Sequence, residues 1–112
     1  DKLHFALQLK NEPLSAFYVH ELGEALDEIV EANLKEDNVD LSPLVKTMGT
    51  PKLKTLSQNI ATANYTLAGS TYLELMESCN SCHQATKHGF IRIIVPKRPA
   101  LDNQDYGMNA GD

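Results

Sequence analysis

Between residues 18 and 29 apolar side chains recur in steps of three and four. Tyr18, Leu22, Ala25, Leu26 and Ile29 would form one stripe of an amphipathic helix. The pattern predicts a helix from Ser15 to about Lys35. Ahead of it, Leu3, Ala6 and Leu7 predict a shorter helix running to about Asn11, with Pro13 as the interruption. The polar stretch from Glu36 to Asp40 predicts a loop. Ser42-Pro43 has the form of a helix cap followed by a first helical residue, which predicts a short helical turn. Thr50-Pro51 repeats that signal. Behind it Leu53, Leu56, Ile60, Ala63 and Leu67 predict a third helix with a bundle-type seam, ending at Gly69. Ser70 or Thr71 then caps a fourth helix, with Tyr72, Leu75, Met76, Cys79, Cys82, His83 and Thr86 on one side and Gly89 as its stop.

After Gly89 the pattern changes. Phe90-Ile-Arg-Ile-Ile-Val95 is short and rich in β-branched residues, Pro96 and Pro99 break regularity, and Leu101 to Asp112 reads as an irregular tail. Short connections between amphipathic helices predict an all-α fold, an antiparallel four-helix bundle over residues 1–89 with an extended segment over 90–112.

Composition narrows the function. A chain of 112 residues with 42% apolar content is one domain with enough apolar material for a core. Its net charge of −5 argues against a phosphate-binding surface, and so against nucleic acid as a partner. No apolar run reaches the roughly 18 residues of a membrane span. The opening Asp1-Lys2-Leu3-His4 lacks the layout of a signal peptide, as a trimmed, exported protein also would.

Both cysteines fall in Cys79-Asn-Ser-Cys82-His83. A disulfide there would close a tiny loop and constrain little. Three chemistries use such a motif. Zinc could draw on Cys79, Cys82, His83 and His88, but structural zinc sites place a long stretch between their Cys and His pairs. A thiol–disulfide site usually opens a helix behind a strand, and neither is predicted here. Covalent haem attachment uses this signature directly. Residues three apart on a helix lie about 5–6 Å from one another on one face, so each thiol can add to one vinyl group while His83 ligates the iron. The bland alternative is two buried cysteines beside a chance histidine. At background frequencies the triplet arises in about one in a thousand chains of this length.

A Cys-x-x-Cys-His on the last helix of a four-helix bundle resembles the class II c-type cytochromes, the cytochrome c′-like group. The resemblance implies one covalent haem c, bound through Cys79 and Cys82, with His83 as the proximal iron ligand. It implies a bacterial periplasmic location and electron transfer with redox partner proteins; an early-helix dimer is compatible with it. No nucleophile–base pair stands out, so an enzyme is not expected. The alternative is a binder or sensor of diatomic gases such as NO or CO at a five-coordinate haem.

The sixth iron position decides between these. Cytochrome c′-like proteins place a distal residue on the first helix, where this chain offers His4. Tyr18 is expected as a haem contact from the second helix, and Arg92 as a partner for the haem propionates. His20 falls opposite the buried stripe of its helix, His88 stays on the proximal side, and Met76 reads as core. Met48 and Met108 lie in irregular stretches; either could swing over the haem, and nothing in the pattern supports either one. Phe90, Ile91, Ile93 and Val95 are expected to cover the haem edge.

Overall fold

The computed structural model describes residues 2–36, 38–99 and 103–108. They are mostly helical, with five α-helices: α1 (Lys2–Gln8), α2 (Glu12–Ala32), α3 (Leu41–Leu44), α4 (Thr50–Ala61) and α5 (Tyr65–Ala85). The all-α expectation holds. No helix among the described residues is long and apolar enough to cross a membrane.

Helix boundaries differ from the predicted ones where asparagine is the cap. Asn11 opens α2, its side-chain oxygen accepting the Leu14 N–H at 3.2 Å. Pro13 lies in the first turn, where a missing N–H breaks no intrahelical bond. It therefore starts the helix rather than interrupting it. Lys10 ends α1 in the left-handed region at φ 55°, and the Asn11 N–H bonds back to the Ala6 carbonyl at 2.9 Å. Ala63 (φ 55°) and Asn64 repeat this device between α4 and α5. There the Asn64 N–H bonds to the Asn59 carbonyl at 2.9 Å, while the Asn64 side chain caps α5 through Leu67 N–H at 3.2 Å.

The third predicted helix therefore stops at Ala61, not Gly69, and Leu67 belongs to the next helix with 49% of its surface exposed. Gly69 lies inside α5, and a Cβ built there meets nothing within 4 Å. Gly69→Ala is expected to raise stability by about 0.5–1 kcal/mol, the usual gain at an open helix interior. A chemical denaturation curve checks it; a loss of stability would restore Gly69 as a helix stop. At its other end α5 is closed by Lys87 (φ 63°), two residues before the predicted Gly89.

Between α3 and α4 the helix does not break. Val45–Gly49 forms one π-helical turn, so Leu41 to Ala61 is a continuous helical run. The sequence explains the extra residue. Leu41, Leu44, Val45 and Met48 form one stripe with three- and four-residue steps, and Leu53, Leu56 and Ile60 form another. The step from Met48 to Leu53 is five, one more than an α-helix can keep on a face. A π turn absorbs that residue and lets both stripes face inward.

The second stripe enters the core, where Leu53, Leu56 and Ile60 pack with Leu7, Val19 and Leu75. Asn59 and Thr71 are also buried, joined by an Asn59 Nδ2–H donation of 2.8 Å that ties α4 to α5. The expected loop after α2 is a minimal antiparallel pair, β1 (Lys35–Glu36) on β2 (Val39–Asp40), in register Lys35 to Asp40. The chain returns to the α1–α2 corner over residues 103–108. Tyr106 is buried against Phe5, and Asn11 Nδ2 donates to the Tyr106 and Gly107 carbonyls at 3.0 and 3.1 Å.

Candidate functional site

The last two turns of α5 form one wall of a cavity of about 420 Å³, within the roughly 300–1,000 Å³ common for cofactor pockets. Cys79, Cys82 and His83 all contribute to that wall. The helical spacing that puts them on one face also turns that face toward α2, α3 and the π turn, whose contributions are almost entirely aliphatic. The first stripe of the Leu41–Ala61 run lines this cavity through Leu41, Leu44, Val45 and Met48. The π turn thus serves two compartments, the cavity before it and the core after it.

Behind the motif an extended strap, residues 91–95, runs along α5. His83 Nδ1 lies 2.9 Å from the Ile91 carbonyl oxygen. A carbonyl can only accept, so Nδ1 carries the proton and donates. This tautomer leaves Nε2 with its lone pair free, the arrangement typical of metal-bound histidines. Two residues on, Asn80 holds the strap at both ends of its amide: Nδ2 donates to the Ile93 carbonyl at 2.9 Å, and Oδ1 accepts the Ile93 N–H at 2.7 Å. Asn80 thus pairs with Ile93 as a neighbouring strand would, and the clamp fixes the carbonyl that orients His83. Ile91 also lines the cavity.

The two thiols are free and lie where ionisation is disfavoured. Burial pushes the Cys79 thiol above its ordinary pKa, and the neighbouring Cys82 adds to the shift. Burial alone raises Cys82. A reactive thiol–disulfide pair needs the opposite, an environment that stabilises thiolate. Among the described residues no three Cys, His, Asp or Glu side chains converge tightly enough to hold a metal ion by themselves.

The other residues expected at this site are dispersed. His4 is half-buried on α1, edge-on to Phe5 with ring centroids 5.0 Å apart and 5.8 Å from the Tyr72 ring. It is outside the cavity lining, and burial holds its pKa below the ordinary histidine value. Its neighbour Tyr72 lies two turns of α5 before Cys79, and no described α1 residue lines the cavity. Tyr18 does not line the cavity either; its hydroxyl accepts a hydrogen bond from Gln104 Nε2 and anchors the returning chain. Arg92 is exposed, between two isoleucines whose backbones are held to α5. His20 pairs with Glu24 at 2.7 Å on the surface. His88 does line the cavity, its Nδ1 3.3 Å from the Thr86 hydroxyl. Met76 is half-buried outside the cavity lining, Met108 is exposed, and Met48 is in the wall.

Sequence reasoning gave no role to Asn80 and no support to Met48. For Asn80 no signal existed, because its partner is a backbone reached only by the fold. For Met48 the signal was the five-residue step to Leu53. The expected cover splits: Ile91 reaches the cavity, while Phe90 is 82% exposed.

Comparison of the chain with protein-family models, with curated proteins and with solved structures finds no match.

Proposed function

We propose that this chain is a monohaem c-type cytochrome, a helical bundle with one haem tethered to α5, that carries electrons outside the cytoplasmic membrane, in the bacterial periplasm, rather than catalysing a reaction. The observation that carries this is the state of His83. Its Nδ1 is committed to the Ile91 carbonyl, its Nε2 is free, and the ring shares one apolar cavity wall with both cysteines.

The residues present fit the group. Cys79 and Cys82 would hold it through thioether bonds, and His83 would ligate the iron. The donation to Ile91 strengthens the imidazole as a ligand and fixes its ring plane. The aliphatic walls from α2 and α3 exclude water and lower the local dielectric, which favours the less charged state of a bound redox centre. When bound, haem supplies one-electron exchange at its iron. Half-buried thiols whose ionisation burial disfavours agree with a structural tether and oppose a dithiol redox role.

The test is purification from a host that attaches haem to exported proteins. The expected product is coloured, shows a Soret band, and keeps its pigment in acidified acetone, because the linkage is covalent. Colourless protein, or pigment extracted by the acid, overturns the assignment.

A further inference from the structure

We infer that Met48, in the part of the cavity wall that the π turn supplies, would give the iron its second axial ligand. The inference rests on the proposed haem and concerns what fills the position that separates electron transfer from gas binding.

A second axial ligand needs a lone pair and must come from outside α5, because α5 already supplies both tethers and the imidazole. The residues that α2 and α3 contribute are leucine and isoleucine and have none. His88 is tied to the His83 end of the cavity, its backbone N–H bonded to the His83 carbonyl at 2.6 Å and its Nδ1 3.3 Å from the Thr86 hydroxyl. Met48 on the π turn remains, the one sulfur or nitrogen donor in the described lining that lies neither on α5 nor on the segment after it.

The backbone around Met48 adds a second, independent reason. A π turn is a poorer hydrogen-bonding arrangement than α-helix, and such turns concentrate at functional sites. This one holds Met48 in the cavity wall while Leu53 stays in the core. It is also closely supported. A Cβ at Gly49 would lie 3.4 Å from Leu26 Cδ1, so the π turn and α2 are in direct contact. The Thr47 hydroxyl donates to the Pro43 carbonyl at 2.7 Å, satisfying an acceptor in the altered turn. Methionine opposite histidine raises a haem potential relative to an open site, which suits an acceptor of electrons.

The experiment uses the matured, pigmented protein and its Met48→Leu variant, chosen because leucine keeps the wall filled without a sulfur; Met48→Ala is the second variant. Haem content is measured first by acid-acetone retention and protein mass. Ferric and ferrous spectra, CO addition and the reduction potential follow. The expected result is a wild-type ferrous spectrum unchanged by CO. Both variants carry haem, turn high-spin, bind CO, and shift to lower potential. Haem-loaded variants with wild-type spectra, or a wild-type protein that binds CO readily, overturn the Met48 assignment and leave the haem intact; the second of these points to gas binding. Wild-type protein without covalent haem overturns both, and the initial measurement identifies that case.

Discussion

His83→Ala protein, matured alongside the wild type, is expected to retain pigment in acidified acetone yet lose the spectrum of an imidazole-ligated iron. Both tethering thiols remain in the variant, so attachment and ligation separate. Axial ligation sets haem potentials over a span of roughly 0.8 V, so loss of the imidazole should move the potential by on the order of 0.1 V. Added imidazole should restore the original spectrum, because the substitution leaves space on the side where Ile91 and Asn80 hold the strap. An unchanged spectrum and potential would remove His83 from the iron. Pigment that is kept but unresponsive to imidazole would mean that the strap collapses into the vacated space.

The largest stability effect is expected at Leu56. It is fully buried in the cluster that joins α1, α2, α4 and α5. Leu56→Ala should cost about 2–5 kcal/mol, combining lost transfer energy with the cavity left behind. For a domain of this size that is a large share of a total of roughly 5–15 kcal/mol, and it lowers Tm by roughly 10–20 °C. Leu67→Ala is the informative partner experiment. The seam pattern places Leu67 beside Leu56 on one helix, whereas the fold leaves it exposed on the next. Its truncation should change stability by no more than about 0.5 kcal/mol. Denaturant midpoints of the two variants compare these numbers directly. Equal losses would return Leu67 to the core and move the α4–α5 turn back toward Gly69.

That pair also shows how far the chain could be read without its structure. Three- and four-residue apolar steps found the helices because burial of one helical face is a local, periodic requirement. The same rule failed across residues 62–64, where Ile60, Ala63 and Leu67 keep three- and four-residue spacing through a turn. There the stop comes from a left-handed Ala63 and a capping Asn64, and hydrophobic periodicity does not register either. Pro13 misled for a related reason. Its meaning depends on whether the preceding Asn11 caps a helix, and Asn11 is held in place in part by Tyr106 and Gly107 from the far end of the described chain.

The candidate site divides along the same line. The sequence alone determined the relation on which the proposed tether rests: Cys79, Cys82 and His83 share a helix face at any length of flanking helix, since that relation depends only on residues one turn apart. Everything that faces them was decided by tertiary structure. Likeness of position points to His4 and the apolar stripe points to Tyr18, but packing carries them elsewhere, to Phe5 and to Gln104. Met48 was brought into the wall by a π turn that reconciles two stripes, and the proton on His83 was assigned by a carbonyl eight residues away along a returning strap. Helix faces are set by neighbours in the chain; the opposite wall of a cavity, and the hydrogen bond that fixes a tautomer, exist only after distant segments have met.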